Sequence, residues 1–224
     1  MSSVGRSGAW VFAAALLAAS PGWAGDPVAL VEDVSGSPAG VRPMEYLAAA
    51  RVIQLGVGDG VIIDYLHSCV RETVQGGQVT IGTDQSVVAG GTLKRETVEC
   101  DGGALELTPD QAAKSGAIIF RKPPKAGQIA VDRTLFGVSP VVELKGAGRL
   151  LVERLDKPGE RLDIGLATAD LERGSFYDFA RAGRSLTAGG IYRATAHGHK
   201  VVFRIDTAAQ PGLAPIAGRL LLLR

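Results

Sequence analysis

Tryptophan occurs only at positions 10 and 23, inside an opening stretch that reads as a leader, so the mature chain has none. Neither charge sign dominates. The 24 Lys and Arg stand against 23 Asp and Glu, which removes the electrostatic case for a nucleic-acid partner. No later apolar run reaches the eighteen residues of a membrane helix; the leucine run Leu220–Leu223 is four residues. Serine-nucleophile chemistry lacks its motif: no Gly-x-Ser-x-Gly occurs, and "GSPAG" (Gly36–Gly40) has the wrong spacing. "GVGDG" (Gly56–Gly60) is followed by a β-branched run and not by a helix that could hold a phosphate, so it reads as a turn. Cysteine and histidine are also sparse: Cys69, Cys100, His67, His197 and His199 are all there are.

What is present begins with export. Arg6 supplies a short cationic region, and an apolar run follows from Ala9 to Ala19. Ser20-Pro21 then break the helix, and small residues Gly22 and Ala24 precede a cut between Ala24 and Gly25. This is the pattern of a secretory signal peptide over residues 1–24, and it predicts a periplasmic or secreted mature chain. No cysteine opens that mature chain, which argues against a lipid anchor there. In an oxidising compartment two cysteines favour one disulfide over a metal site or a reactive thiol.

Short Val-, Ile- and Thr-rich runs split by glycine-bearing turns predict a mainly β protein. Strands are expected at Val28–Val34, Arg51–Leu55, Gly60–Leu66, Cys69–Val74, Gln78–Gly82, Ser86–Ala89 and Thr92–Cys100, separated by GVGDG, QGG, GTDQ and AGG. Their spacing of about ten residues suggests a small barrel or sandwich. Thr108, Pro109 and Gln111 form a capping box that Gly116 closes, predicting one short helix, with a strand at "AIIF" after it. Arg121–Gln128, with two adjacent prolines, reads as a linker. The β pattern then resumes in "VVELK", "RLLVERL", "RLDIGL", "GIYRATA", "KVVFRID" and "GRLLLLR", and Ser175–Gly183 is expected to form a helical turn with Phe176, Tyr177 and Phe179 inward. The expected organisation is two small β domains, residues 25–120 and 129–224, joined by the linker 121–128.

The string Arg-Glu-Thr-Val occurs twice, at Arg71–Val74 and Arg95–Val98, with a cysteine just outside each copy. Antiparallel pairing of the copies with Cys69 opposite Cys100 sets Arg71 against Val98, Glu72 against Thr97, Thr73 against Glu96 and Val74 against Arg95. Alternation then places Arg71 with Glu96 on one face and Glu72 with Arg95 on the other, as diagonal ion pairs on solvated surface. Opposed strand residues are close enough for a disulfide between Cys69 and Cys100.

His197 and His199, two apart, would share one face of a strand, but a metal site needs at least three ligands, and His67 sits in the other expected domain. The plain reading is a hairpin turn with Gly198 at its bend. Asp156, Glu160, Asp163, Asp170, Glu172 and Asp178 alternate with basic residues as on a solvated surface, and no pair is marked out for acid–base work. No catalytic residue, cofactor or metal is therefore expected.

Two resemblances add to this reading. The run from Tyr46 to Gly91 has a hydrophobic strand, a glycine turn with Asp59, a second strand, and short strands ending in a Ser-x-Val step from Ser86 to Val88. It resembles the FecR-like periplasmic domain family over about residues 28–100, though without that family's Asp-Gly-Ser triplet and with a cysteine pair added. The resemblance implies a compact β domain acting through protein contacts in the periplasm. "LTAGGIY" is similar to the Leu-x-Pro-Gly-x-x-Tyr step of fibronectin type III and related immunoglobulin-like sandwiches, with Leu186, Gly189 and Tyr192 matching and Ala188 in place of proline. There the tyrosine hydroxyl bonds back to the backbone at a strand corner, which implies a fold role for Tyr192.

The functional expectation is a non-enzymatic adaptor or accessory protein whose partner is another envelope protein. A docking role is open to the terminal strand if it lies at an edge; a central strand buried on both faces is the plainer reading. The alternative is a glycan- or small-molecule-binding module with a groove lined by Tyr46, Tyr65, Phe176, Tyr177 and Phe179.

Overall fold

The computed structural model describes residues 26–38, 40–102, 129–212 and 214–223. The expected leader, the capped helix at Thr108, the "AIIF" strand and the linker 121–128 lie outside the described residues.

Residues 26–102 form one antiparallel sheet. Its strands are β1 (Pro27–Ser35), β2 (Tyr46–Ala48), β3 (Val52–Tyr65), β4 (Val70–Thr80), β5 (Val87–Ala89) and β6 (Thr92–Thr97), in the order β2-β1-β3-β4-β5, with β6 also on β4. β4 takes β6 along Val70–Gln75 and β5 along Gln78–Thr80. Val31, Leu47, Ile53, Ile63, Val74 and Val79 belong to one buried cluster of this half.

Two expected turns do not turn the chain. Arg51–Leu55 and Gly60–Leu66 are parts of one strand, and "GVGDG" is a bulge in it, where the register against β4 jumps from Leu55 to Gly60. The Asp59 carboxylate holds the bulge, accepting N–H bonds from Gly56 at 3.0 Å and Ser37 at 2.9 Å. "QGG" likewise lies inside β4. Gly76 and Gly77 both have positive φ, and a Cβ on Gly77 would stand 2.4 Å from the Ala89 carbonyl oxygen. Glycine here lets the β5–β6 backbone pass close against a continuing strand.

Residues 129–223 form a β-sandwich. One sheet has β7 (Arg133–Gly137), β9 (Gly148–Arg154), β10 (Arg161–Leu166), β12 (Ile191–Ala196) and β13 (His199–Gln210) in the order β10-β9-β12-β13-β7, with β7 parallel to β13. The other has β8 (Val141–Glu143), β11 (Phe176–Asp178) and β14 (Leu220–Leu222) in the order β11-β8-β14, with β14 parallel to β8. Leu135, Leu150, Val152, Tyr192, Phe203 and Leu221 are buried between them. Ser175–Gly183 is the expected helical turn only in its second part, where Ala182 N–H donates to the Asp178 carbonyl and Gly183 N–H to the Ala180 carbonyl. Phe176–Asp178 pairs with β8 as a strand, and alternation sends the aromatics to two different interiors. Tyr177 and Phe179 meet edge to face in the sandwich core, with centroids 5.3 Å apart, whereas Phe176 faces the first half.

A third cluster joins the halves. Leu30 and Met44 of the first pack with Val141, Phe176, Ile216 and Leu220 of the second. Tyr46 lies on Phe176 with centroids 5.9 Å apart, and its hydroxyl donates to Glu143 Oε2 at 3.2 Å. This arrangement accounts for four consecutive leucines. Leu221 and Leu223 enter the sandwich core, while Leu220 and Leu222 pack at the junction of the halves. Among the described residues β14 bonds to β8 alone and ends its sheet, so it is not a central strand, but Leu220, Leu221 and Leu223 are buried and Leu222 partly so. Its leucines are therefore not open for docking.

Leu221→Ala should cost about 2–5 kcal/mol in denaturant unfolding, as for other large-to-small changes in a closed core. Val57→Ala, at a fully exposed position in the Gly56–Gly60 bulge, should change stability by no more than about 0.5 kcal/mol.

Candidate functional site

The doubled motif pairs as an antiparallel ladder, but two residues off the expected register. Arg71 faces Glu96 directly, Glu72 faces Arg95, and Val74 faces Leu93. The ladder ends before the cysteines, where Val98 N–H donates to the Cys69 carbonyl at 2.8 Å. Cys69 takes a left-handed backbone conformation there, with φ 55°. The Cys69–Cys100 disulfide forms across a Cα separation of 5.6 Å and closes a loop of 31 residues, an effect on the order of 3–4 kcal/mol in the chain-entropy description.

Alternation along β4 does separate Arg71 from Glu72, yet neither lies on a solvated surface as expected. On the inner side Glu72 is 0% exposed. Its carboxylate accepts the Ser86 backbone N–H at 3.0 and 3.2 Å and Arg95 Nε at 2.7 Å. Arg95 Nη2 donates onward to the Ser86 carbonyl, and the Ser86 hydroxyl meets the Tyr65 hydroxyl at 2.8 Å. Burial pushes the Tyr65 phenol up, keeping it neutral. The four side chains tie β3, β4, β6 and the start of β5 into one satisfied polar network.

On the outer side Arg71 pairs with Glu32 of β1, and its Nε lies 3.7 Å from Asp64 Oδ1 of β3. Asp64 is 0% exposed. The 3-10 turn Ile216–Gly218 of the second half caps this group: Ile216 N–H donates to Glu32 Oε2 and Ala217 N–H to Asp64 Oδ2, each at 3.3 Å. Asp64 Oδ1 is the one buried side-chain oxygen or nitrogen among the described residues with no hydrogen-bond partner. Burial, then the adjoining Glu32 carboxyl, hold Asp64 far above the usual carboxylate range, at about 8. Beside the same 3-10 turn lies an apolar cleft of about 440 Å³, lined by Val98 and Glu99 of the first half and by Phe136, Ala208, Pro211 and Pro215 of the second. Charge and cavity thus converge at the junction of the halves. The arrangement can bind a proton and hold two bodies together.

The other residues singled out from sequence are placed elsewhere. His197 and His199 flank the β12–β13 hairpin bend, with His197 and Gly198 at positive φ. His197 Nε2 lies 3.2 Å from the Gly146 carbonyl, and His199 Nε2 lies 3.0 Å from Lys145 Nζ. No group of three metal-ligating side chains occurs among the described residues. Tyr192 is buried, and its hydroxyl accepts the Thr187 backbone N–H and donates to Glu160 Oε1, both at 2.9 Å. Gly190 makes room for it, since a Cβ there would stand 2.5 Å from the ring. Leu186 is buried, and Gly189, at φ 76°, donates to the Ile205 carbonyl.

Two readings are corrected. Tyr65, Phe176, Tyr177 and Phe179 are buried and Tyr46 packs on Phe176, so these aromatics do not share one groove. Tyr177 borders a cavity with Asp170, Glu172 and Arg181, while Phe176 lies in the cluster between the halves. Asp178 is not surface: it is buried in a bidentate pair with buried Arg219, at 2.7 and 3.1 Å. Arg219 also donates to the Ser139 and Ala214 carbonyls, which fixes the 3-10 turn to the sandwich. Sequence reasoning missed Glu32, Asp64 and Arg219. The available signal was an acid embedded in an apolar strand run, as in "VIIDYL", "VALVEDV" and "SFYDF".

Glu72 and Glu96 occupy the same position in the two copies of the motif but should differ in energy. Glu72→Ala strands the Ser86 N–H and should cost about 1–3 kcal/mol, while Glu96→Ala, on the exposed strand, should stay within about 0.5 kcal/mol. Chemical denaturation of both variants measures the difference.

Compared with known proteins, the chain matches no family model, no curated protein and no solved structure.

Proposed function

We propose that the chain is an exported, non-enzymatic interaction protein, an adaptor or accessory part of an envelope assembly, with a FecR-like first half and an immunoglobulin-like second half. The observation that carries the contact role is a row of β-branched side chains beside an open strand edge. Val52, Thr80 and Val87 are direct neighbours across β3, β4 and β5. Val52 is 49% and Val87 70% exposed. β5 ends the sheet order among the described residues, so its outer side offers main-chain donors and acceptors to an added strand. The partner this suits is an extended segment with apolar side chains at alternate positions.

The ionisable groups support a structural use of the chemistry present. Glu72, Asp178 and Arg219 are buried in complete sets of partners. The immunoglobulin-like reading of the second half draws on the sheet order β10-β9-β12-β13, that of a C′CFG sheet, and on Tyr192 near the start of the F-equivalent strand, bonded to the backbone five residues upstream. The disulfide suits an oxidising compartment and so supports export. A second reading, binding of a small apolar molecule, is favoured by the cleft beside Phe136 and Pro215.

A photo-crosslinking residue at position 87, activated in intact cells, tests the contact role. One recurrent protein adduct, lost with a control residue at the exposed Lys200, is the expected result. No adduct at position 87, with a small molecule retained in native mass spectrometry, would replace the adaptor reading with the second one.

A further inference from the structure

We propose that the Glu32–Asp64 carboxyl pair, capped by the backbone N–H groups of Ile216 and Ala217, is a one-proton latch that holds the two halves together and releases its grip as pH rises. Glu32 comes from β1, Asp64 from β3 and Arg71 from β4, so the first half supplies all three side chains. The second half supplies only backbone donors, Ile216 N–H to Glu32 Oε2 and Ala217 N–H to Asp64 Oδ2. Beyond this group, Glu96 on β6 faces Arg71 across the ladder but is exposed and paired with Lys94. Arg219, next to the turn, is committed to Asp178.

Charge counting then fixes the state. With one proton on the carboxyl pair, held at Asp64, a single negative charge stands against the Arg71 guanidinium that pairs with Glu32, and the group is neutral. Removing that proton sets two carboxylates, Asp64 buried and Glu32 partly so, against one guanidinium, with Asp64 Oδ1 lacking any donor. Opening the junction lets water solvate the second charge, so deprotonation and opening are linked.

The sign follows from the raised pKa. In the closed state Asp64 titrates near 8 and in an opened, hydrated state near its ordinary 3.8. The closed junction therefore has its full stability below about pH 4. It loses stability by about tenfold in its opening constant per pH unit up to about 8 and then levels off.

Hydrogen exchange of the full chain from pH 5 to 9, corrected for intrinsic exchange, reads this at the Ile216 and Ala217 amides. Their protection should fall about tenfold per pH unit below pH 8 and flatten above it, while the Phe203 and Ile205 amides in the sandwich core show no such slope. Asp64→Asn should abolish the slope and keep the junction protected. Glu32→Gln, which removes the neighbouring carboxyl but not the burial of Asp64, should make the slope flatten at a lower pH and serves if the first variant fails to fold. Flat protection in the wild type, a slope surviving Asp64→Asn, or an unchanged flattening point in Glu32→Gln would overturn the latch. So would an Asp64 carboxyl carbon resonance titrating in the ordinary carboxylate range.

Discussion

A carboxylate enclosed by a sheet must have its donors in place when the strands close over it, because an unpaired buried charge costs several kcal/mol. Glu72 meets that demand through the Ser86 N–H and Arg95. The constraint reaches well beyond one residue. It pins β6 to β4 in a register that opposes Glu72 to Arg95, sets the start of β5, and delivers Cys100 to within bonding distance of Cys69. A slip of one residue would send Glu72 outward and bring Arg71 into the apolar cluster. The same alternation that buries Glu72 on one side commits Arg71 to Glu32 and Asp64 on the other.

The 3-10 turn Ile216–Gly218 is where this arrangement reaches the second half. Arg219 anchors the turn to Asp178, Ser139 and Ala214 within the sandwich. The turn's free N–H groups point the other way, to Glu32 and Asp64. Close packing leaves little slack there: a Cβ on Gly218 would stand 2.4 Å from the Glu99 carbonyl oxygen. Leu220 and Leu222 cover the apolar part of the junction, so one short segment carries both its polar and its greasy contacts.

Strands were legible in the sequence because β-branched runs with period two leave few other ways to bury one face. The disulfide was legible from the cysteine count and from the place of each cysteine beside a copy of the doubled motif. Turns were less so: Gly56–Gly60 and Gly76–Gly77 carry turn chemistry, but glycine serves a bulge or a close backbone approach equally well, and the long strands β3 and β4 pass through both. Register was off by two residues because pairing the cysteines directly ignored the left-handed step at Cys69 that lets the disulfide form beyond the ladder. The junction was the least legible part. Glu32 and Asp64 look like ordinary strand acids, and their burial follows from 3-10 turn residues more than 150 positions away. The leucine run was the visible trace of that contact, since both faces of β14 are covered by different halves.

The central claim is that adjacent residues Arg71 and Glu72 serve separate interiors. A double-mutant cycle in denaturant unfolding tests it directly. Glu72→Ala combined with Arg95→Ala should show an interaction energy of about 0.5–3 kcal/mol, while Glu72→Ala combined with Arg71→Ala should be additive within about 0.5 kcal/mol. Strong coupling between positions 71 and 72, or none between 72 and 95, would contradict the account.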